Sequence, residues 1–312
     1  MYRGTLGQTK STRSNGRTHG SDFVTLRLTQ RGSVGTLGQT KSTRSNERTH
    51  GSDFVTLRLT QRGSGVMLFS DLDGTLIFSA AKRCPGDILV ERKGEAEISC
   101  VTRKQAELLP GLGIIPVTTR SIEQYRRIRI PGFSPEFALV DNGGSLLING
   151  EPDPEWSEHS RKCAESCSAE LGACRRVLEQ DPHRCFEIRM VDGLFLFTKS
   201  ALPEFTLKAL ERAAGDAVNC FATGQKVYAI PAGICKGGAV RRLTERFFPG
   251  RGLICAGDSL MDIPMLNAAD IAVFPEDMTG QGIAADKIVT APRERFPEFV
   301  TEYFTRIKDQ EE

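Results

Sequence analysis

Long hydrophobic runs are missing from this sequence. The longest apolar stretches are short and interrupted, as in LLPGLGIIPV at 108–117, and none approaches the roughly 20 residues that a membrane-spanning helix needs. An N-terminal signal pattern is missing too, because the first sixty residues are polar almost throughout. We therefore expect a cytoplasmic protein without a membrane partner.

Paired cysteine motifs are also absent. The 312-residue chain has nine cysteines, an odd number, and no CxxC pair, which argues against a disulfide framework and for a reducing compartment. His159, Cys163, Cys167 and Cys174 have the spacing of one helix face. A metal site and a buried stripe of small residues are both open there. The stripe is favoured, since free cysteine is among the most buried residue types.

The net charge of +2 is unevenly distributed along the chain. Residues 1–66 hold eleven Lys and Arg against three acids, so the remainder is mildly acidic and gives no reason to expect nucleic-acid binding. Residues 4–33 and 35–64 repeat the same text with one change, Gly16 against Glu47. Near-identity of this kind indicates a recent duplication rather than a structural repeat, whose copies diverge while keeping core positions.

This leader has too few apolar residues to build a core. Only FVTLRL, at 23–28 and 54–59, alternates as a strand does. Three interpretations stay open for residues 1–66: a stretch outside the native protein, a disordered passenger, and a basic interaction tail. We expect the leader to add nothing to folding or catalysis.

An apolar run directly after the leader ends in two acids and a glycine. VMLFSDLDGTL (66–76) predicts a buried parallel strand with Asp71 and Asp73 just past its carboxyl end, where open α/β sheets bind ligands. An Asp there can attack phosphorus and form an aspartyl-phosphate, while a second acid transfers protons. Gly74 lets the backbone turn tightly around a phosphate.

Two more predicted strands end in polar residues in the same way. GLGIIPVTTRS (111–121) leads to Thr118, whose hydroxyl can bind a phosphate oxygen. RGLICAGDSLMDIPML (251–266) leads to Asp258 and Asp262, which offer the hard oxygen ligands that suit Mg²⁺. We expect one edge of a sheet to bring these residues to the first pair of acids.

Lys236, in AGICKGGAV, lies between the second and third of these strands, and its charge can neutralise a nucleophile and a transferring phosphoryl group. The four pieces together resemble the haloacid dehalogenase superfamily over residues 67–295. DLDGTL resembles its first motif, Thr118 its second, Lys236 its third and GDSLMD its fourth. The resemblance implies that Asp71 is the nucleophile and Asp73 the acid and base. It also implies a Mg²⁺ ion held by the Asp71 carboxylate, the Asp73 carbonyl and the fourth-motif acids.

The 118 positions from Thr118 to Lys236 are too many for one crossover and predict an inserted domain. Its pattern predicts a helix, a hairpin, a helix and a hairpin, at 160–180, 185–199, 205–217 and 219–231. This order resembles the type IIB cap of the Cof-like, sucrose-phosphate and mannosyl-phosphoglycerate phosphatases. The resemblance implies an α/β fold with a Rossmann-like parallel-sheet core over 67–145 and 232–312 and an α+β cap over 146–231.

Substrate contacts are expected from the strand ends and from the cap. The candidates are Gly74, Thr119, Arg120, Asn142, Arg189, Gln225, Lys226 and Tyr228. The sequence departs from the family pattern at Thr119, where the family has glycine, and at Met261, where it has asparagine. DILVERKGEAEISCV (87–101) predicts an additional hairpin, which is either a lid near the site or a surface feature without a role.

The function that this resemblance implies is Mg²⁺-dependent hydrolysis of a small phosphorylated metabolite, a sugar phosphate or a related phosphomonoester. The alternative is a phosphotransferase or mutase, or a weakly catalytic sensor of a phosphorylated ligand. In mutase-type members of the family that this sequence resembles, the cap lies between the first two motifs. Here only 43 residues separate Gly74 from Thr118, too few for a full cap domain. A sensor that had lost activity would more often lack one of the first-motif acids.

Overall fold

The computed structural model describes residues 65–311. The predictions for the leader, including the two strand-like FVTLRL segments, fall almost entirely outside this range. Within it, no helix is long and apolar enough to cross a membrane.

The strands of the described range, in chain order, are β1 (Val66–Ser70), β2 (Phe78–Ser79), β3 (Ile88–Lys93), β4 (Ala96–Val101), β5 (Ile115–Pro116), β6 (Phe137–Val140), β7 (Ser145–Ile148), β8 (Glu151–Pro152), β9 (Arg189–Val191), β10 (Phe195–Lys199), β11 (Val218–Thr223), β12 (Lys226–Pro231), β13 (Gly252–Ala256), β14 (Ile271–Pro275) and β15 (Lys287–Ala291). The helices are α1 (Arg103–Leu108), α2 (Ile122–Arg126), α3 (Pro154–Ser166), α4 (Ser168–Gln180), α5 (Pro203–Ala214), α6 (Lys236–Phe247), α7 (Ile263–Leu266) and α8 (Phe296–Glu311).

A five-stranded parallel sheet in the order β15-β14-β13-β1-β5 contains the three predicted core strands. All five residues of β1 are buried, as expected of a parallel strand that is covered on both faces. Since successive side chains point to opposite faces, Val66 and Leu68 pack with α8 residues and Met67 and Phe69 pack with α6 residues. The sheet therefore has helices on both sides, and the predicted α/β class is confirmed.

The strands β1, β5 and β13 are direct neighbours in this sheet. β1 pairs in parallel with β13 from Val66↔Gly252 to Ser70↔Ala256, and with β5 at Phe69↔Ile115. Their carboxyl ends therefore meet at one edge, which positions the acids and the threonine that follow them.

The predicted hairpin at 87–101 is present as β3 and β4, with β2 on the outer side of β4. Its ladder is irregular around Glu91. The register shifts once between Leu89 and Glu91 and again between Glu91 and Arg92, so Glu91 lies opposite Ser99. Such bulges re-aim side chains, and here Val90 and Glu91 are both buried although they are adjacent in the strand.

The insertion forms a four-stranded antiparallel sheet in the order β11-β12-β10-β9 with α4 and α5 packed on it. Both predicted hairpins are confirmed. Asp192 and Gly193, in the turn between β9 and β10, both have positive φ, at 45° and 75°, as the two central residues of a type I′ turn do, and the N–H of Leu194 closes this turn on Val191 O at 2.8 Å.

The helix predicted over 160–180 is two helices. Its first part begins earlier, at Pro154, because the Asp153 side chain accepts a hydrogen bond from the backbone N–H of Trp156 and caps the helix. The chain leaves helical geometry at Cys167, where α3 gives way to α4. Cys167 and Cys174 are buried, and among residues 65–311 they belong to no acidic, cysteine or histidine cluster with metal-binding geometry. The stripe interpretation therefore holds for Cys167 and Cys174, whereas His159 is exposed and Cys163 is half-buried.

The strands β6, β7 and β8 form a separate antiparallel sheet. Along the chain they follow β5 of the parallel sheet and precede α3. The predicted boundary after residue 145 falls at the start of β7, whose Leu146 is fully buried in the cluster around Trp156 and Val240. We therefore propose that the insertion begins after β8.

Candidate active site

Asp71 and Asp73 lie at the carboxyl end of β1, in a turn that Gly74 makes possible. The backbone N–H of Asp71 donates to Ala256 O at 2.9 Å and continues the pairing with β13. Gly74 has a φ of 83°, and a Cβ at this position would lie 2.3 Å from Asp258 Oδ2. Glycine is thus required both for the backbone conformation and for the close approach of Asp258.

Lys236 is the first residue of α6, and its side chain is almost fully buried beneath Asp71. Its Nζ donates to Asp71 Oδ1 at 2.6 Å and to Asp262 Oδ1 at 2.5 Å. Burial raises the pKa of Asp71, Lys236 opposes that change, and the neighbouring carboxylates add to it. The two carboxylates hold the pKa of Lys236 above its usual value despite its burial. The lysine therefore stays charged between them.

Asp262 is fully buried, and both of its oxygens are occupied. Oδ1 accepts from Lys236, and Oδ2 accepts from the backbone N–H groups of Asp258 and Ser259 and from Ser259 Oγ. These bonds fix the loop after β13 and hold the lysine at the same time.

Asp258 faces the turn at Asp73 and Gly74 from the neighbouring strand end. Burial, and then the charge of Asp262, raise its pKa to about 6. Its Oδ2 accepts from Arg293 at 3.1 Å, and Arg293 also pairs with Asp277. The sequence around Arg293 did not predict this contact, because Arg293 lies in a loop that is distant from Asp258 along the chain.

Three carboxylates at this edge have the geometry of a cation site. One oxygen each of Asp71, Asp258 and Asp262 lies within 4.8 Å of the others. The raised pKa values of Asp71 and Asp258 show that burial and mutual repulsion disfavour their charged forms, and a divalent cation relieves such crowding. The donor set, oxygen only, fits Mg²⁺.

Thr118 is fully buried one residue beyond Val117 in the chain that follows β5. Its backbone N–H donates to Leu139 O, its Oγ1 accepts from the N–H of Arg120, and its carbonyl accepts from the N–H of Asn142. Asn142 is itself buried, with its amide on Ile234 O. Asn142 therefore links the backbone at Thr118 to the backbone at Ile234.

Arg120 holds the second acid. Its Nε and one terminal nitrogen donate to the two oxygens of Asp73 at 2.6 and 2.7 Å, and its other terminal nitrogen contacts Glu91 Oε1 at 2.8 Å. Burial acts to raise the pKa of Asp73, but the bonds to Arg120 outweigh it and lower that pKa. Asp73 is thus held as a carboxylate.

A cavity of about 690 Å³ opens above Asp73, between the strand ends, the β3–β4 hairpin and the inserted sheet. Five of the predicted substrate residues line it, namely Thr119, Arg120, Arg189, Lys226 and Tyr228. Gly74, Asn142 and Gln225 are not in its wall. Gln225 is exposed in the turn between β11 and β12, where its carbonyl accepts from Ser200.

Other residues of the cavity wall had not been singled out from the sequence. They are Glu91, Lys93, Ile98, Ser121, Glu123, Gln124, Arg127, Met190, Val191, Asp192, Phe195 and Phe197. Those in the hairpin belong to a predicted element whose role was left open. The alternation of β10 could have indicated Phe195 and Phe197 as one face of the strand.

Comparisons with known proteins show the fold. The structure is similar to that of the sucrose-phosphatase from Synechocystis, solved with sucrose and phosphate, at 16% identity and a TM-score of 0.53, over 77% of this chain and 98% of that chain. The C-terminal domain of the trehalose-6-phosphate phosphatase of C. albicans matches at 17% identity and a TM-score of 0.48, over 79% and 93%. No family model and no curated protein sequence matches.

Proposed function

We propose that this chain, which has the haloacid dehalogenase core with an inserted cap, is a Mg²⁺-dependent phosphatase of small phosphorylated metabolites. One observation carries the proposal: Asp71 lies at the carboxyl end of β1 with a buried lysine on one oxygen, and Asp73 lies two residues on at the floor of a cavity. This arrangement suits attack on phosphorus by one carboxylate and proton transfer by the other.

The first step is phosphoryl transfer to Asp71. Lys236 binds Oδ1 of Asp71, which leaves Oδ2 to form the new bond to phosphorus as the ester P–O bond breaks. Asp73, once it has left Arg120 and carries a proton, gives that proton to the leaving oxygen. The hydroxyl of Thr118 and the charge of Lys236 stabilise the transferring group.

The second step is hydrolysis of the aspartyl-phosphate. Asp73 takes a proton from a water molecule that attacks phosphorus, and the bond between phosphorus and Asp71 breaks. Inorganic phosphate leaves and the Asp71 carboxylate is restored. The ion pair with Arg120, which lowers the pKa of Asp73, suits this step because the base must be unprotonated.

The cation would be held by the carboxylates of Asp71 and Asp258 and the backbone carbonyl of Asp73. When bound, Mg²⁺ supplies neutralisation of the negative charge that a phosphate brings to these acids. Asp262, counted as a ligand by family resemblance, has both oxygens engaged. We assign it the task of holding Lys236 and the loop after β13.

The cavity supports a small polar substrate with an apolar face. Its volume lies within the range of small-molecule sites. Phe197 and Tyr228 pack with ring centroids 5.2 Å apart and form an aromatic wall, while Arg189 and Lys226 add positive charge. The sucrose-phosphatase that shares the fold was solved in complex with sucrose and phosphate. We therefore propose a sugar phosphate or a related phosphomonoester, and no nucleic acid.

One observation favours a second candidate, a weakly catalytic sensor of a phosphorylated ligand. Arg120 occupies both oxygens of Asp73, and an acid held as a carboxylate gives no proton to a leaving group. In a sensor this ion pair would persist when the ligand binds.

The test is a phosphate-release screen of the purified protein against sugar phosphates, phosphoglycerate conjugates and nucleotides, with Mg²⁺ and with excess chelator. We expect turnover of one class that chelator abolishes and that Asp71→Asn abolishes while circular dichroism shows an unchanged fold. Full activity in chelator would refute the metal site, and near-normal turnover by folded Asp71→Asn would refute the nucleophile. Tight ligand binding without phosphate release would identify a sensor.

A further inference from the structure

Glu91 is a buried carboxylate in the wall of the cavity, outside every motif of the sequence. Its side chain has no exposed surface. The two register shifts of the β3–β4 ladder place it opposite Ser99 and turn it inward. An isolated charge in such a place is strongly unfavourable, so its partners decide what it does there.

Three side chains satisfy Glu91. Ser99 Oγ donates to Oε2 at 2.7 Å, and Oε1 lies 2.8 Å from a terminal nitrogen of Arg120 and 3.3 Å from Arg127 Nε. Burial acts to raise the pKa of Glu91, but the bonds from Arg120 and Ser99 lower it. Glu91 is thus a permanent counter-charge for the two arginines.

Arg120 is shared between two carboxylates. A guanidinium has five N–H donors in a fixed plane. Here Nε and one terminal nitrogen are on Asp73, and the other terminal nitrogen is on Glu91. Asp73 is half exposed to the cavity while Glu91 is enclosed, so Asp73 is the partner that is free to leave.

The proposed reaction requires Asp73 to leave this ion pair. Its oxygen must reach the leaving oxygen of the substrate, and in the structure both oxygens are on Arg120. When Asp73 moves, the charge of Arg120 needs another partner in place. Glu91 is already bonded to it, and needs no movement to fulfil that role.

We propose that Glu91 is a positioning residue, which holds Arg120 against the hairpin and so lets the Asp73 carboxyl swing to the leaving oxygen. This inference rests on the proposed phosphatase function. It assigns the β3–β4 hairpin a part in the reaction that the motifs do not contain. Without the charge of Glu91, Arg120 keeps Asp73 as its remaining carboxylate partner and proton donation becomes slow.

The leaving group of the substrate separates this role from a structural one. An alkoxide, as in a sugar phosphate, leaves only with a proton, whereas p-nitrophenolate leaves readily without one. A change that hinders Asp73 as proton donor therefore slows the alkyl phosphate and spares the aryl phosphate. A change that distorts the site slows both.

The experiment measures kcat/KM of the full chain with Mg²⁺ on the best alkyl phosphate of the screen and on p-nitrophenyl phosphate. For each substrate, kcat/KM reports phosphoryl transfer to Asp71 and not the later hydrolysis. We expect Glu91→Gln to lower it by about 10²-fold for the alkyl phosphate, within the usual range for lost acid catalysis, and by less than about threefold for p-nitrophenyl phosphate.

The matched control is Glu95→Gln, the same chemical change at an exposed position of the same hairpin, and it should behave as wild type on both substrates. Ser99→Ala keeps every charge and removes the bond from Ser99 Oγ to Glu91 and the 3.3 Å bond from Arg120 to Ser99 Oγ. It should give a smaller selective loss, and it reports on the role if Glu91→Gln does not fold.

Equal losses on both substrates would overturn the proposal in favour of a structural role. Wild-type rates in Glu91→Gln would overturn it too, while leaving the phosphatase function intact. Failure of the wild-type protein to release phosphate from either substrate would instead remove the proposed function, and this role with it.

Discussion

Asp71 and Asp73 are two residues apart, yet their surroundings are opposite. The side chain of Asp71 is 8% exposed and that of Asp73 is 51% exposed. A buried lysine holds Asp71 by one oxygen, whereas the fork of Arg120 covers both oxygens of Asp73. The same turn thus carries one enclosed carboxylate, paired with a lysine, and one carboxylate that is half exposed to the cavity.

The two carboxylates also differ in the type of cation that holds them. Lys236 is a compact charge that reaches two acids at once and leaves an oxygen of Asp71 free. Arg120 binds Asp73 in a planar, two-point contact that must be broken as a whole. We infer that folding fixes the position of the buried Asp71. The position of the exposed Asp73, in contrast, depends on whether substrate is bound.

Removing the lysine should break the buried half. Lys236→Met leaves the Asp71 and Asp262 carboxylates buried without their cation, and loss of one partner of a buried ion pair typically lowers the free energy of unfolding by about 3–5 kcal/mol. We expect a loss of this size by denaturant unfolding and no measurable turnover. Lys104→Met, in an exposed pair with Glu302, should cost less than about 1 kcal/mol. Similar losses in the two variants would contradict the comparison.

Replacing the exposed acid should leave the fold alone and impair chemistry. We expect Asp73→Asn to lower turnover of an alkyl phosphate by about 10²–10⁴-fold with little change in thermal stability, because Asp73 is half exposed. Steady-state kinetics and a melting curve on one preparation measure both. A variant within about threefold of wild type would remove Asp73 from proton transfer.

A third carboxylate sharpens the contrast, since Asp141 is buried like Asp71 but has no lysine or arginine among the groups that shift its pKa. Burial, and then the charge of Asp192, raise its pKa to about 8. Between pH 4 and 8 the native state therefore holds a proton that the unfolded chain has lost, and the free energy of unfolding falls as pH rises, by up to about 1.4 kcal/mol per pH unit.

Asp141→Asn should remove this dependence. We expect its stability to exceed that of wild type at pH 8 and the gap to narrow towards pH 4, as followed by denaturant unfolding across that range. Parallel stability curves for the two proteins would show that Asp141 does not hold the proton.

The smallest effect is expected for the leader. A chain that begins at Gly65 retains Val66, the first residue of β1, whose backbone N–H donates to Glu311 at 2.6 Å. We expect its melting temperature to match that of the full chain and its kcat/KM to agree within about threefold. A midpoint lower by about 4 °C, which corresponds to more than about 1 kcal/mol, would make the leader part of the enzyme.

The sequence indicated the buried half of the site better than the exposed half. Asp71, Thr118 and Asp258 follow apolar runs that mark parallel strands, so local pattern and sheet edge together placed them. Arg293 and Glu91 carry no such mark. Their contacts depend on how distant loops pack, and on a register shift that alternation does not reveal.

The same limit applied to the insertion. Its two hairpins were found from turn residues and alternation, but the break at Cys167 was not, because no Gly or Pro stands there. Gln225 was a reasonable candidate by position in its hairpin. It is exposed in the turn and does not line the cavity, because strand alternation assigns a face to residues within the ladder and not to those of the turn.

The two register shifts of the β3–β4 ladder cancel. Leu89 pairs with Cys100 before them and Arg92 with Glu97 after them, in the same phase. An ordinary hairpin of identical length would therefore join the same neighbours while presenting a different residue to Arg120. The hairpin could therefore be replaced as a unit. Such a replacement would change the residues that line the cavity without altering the parallel sheet that carries Asp71.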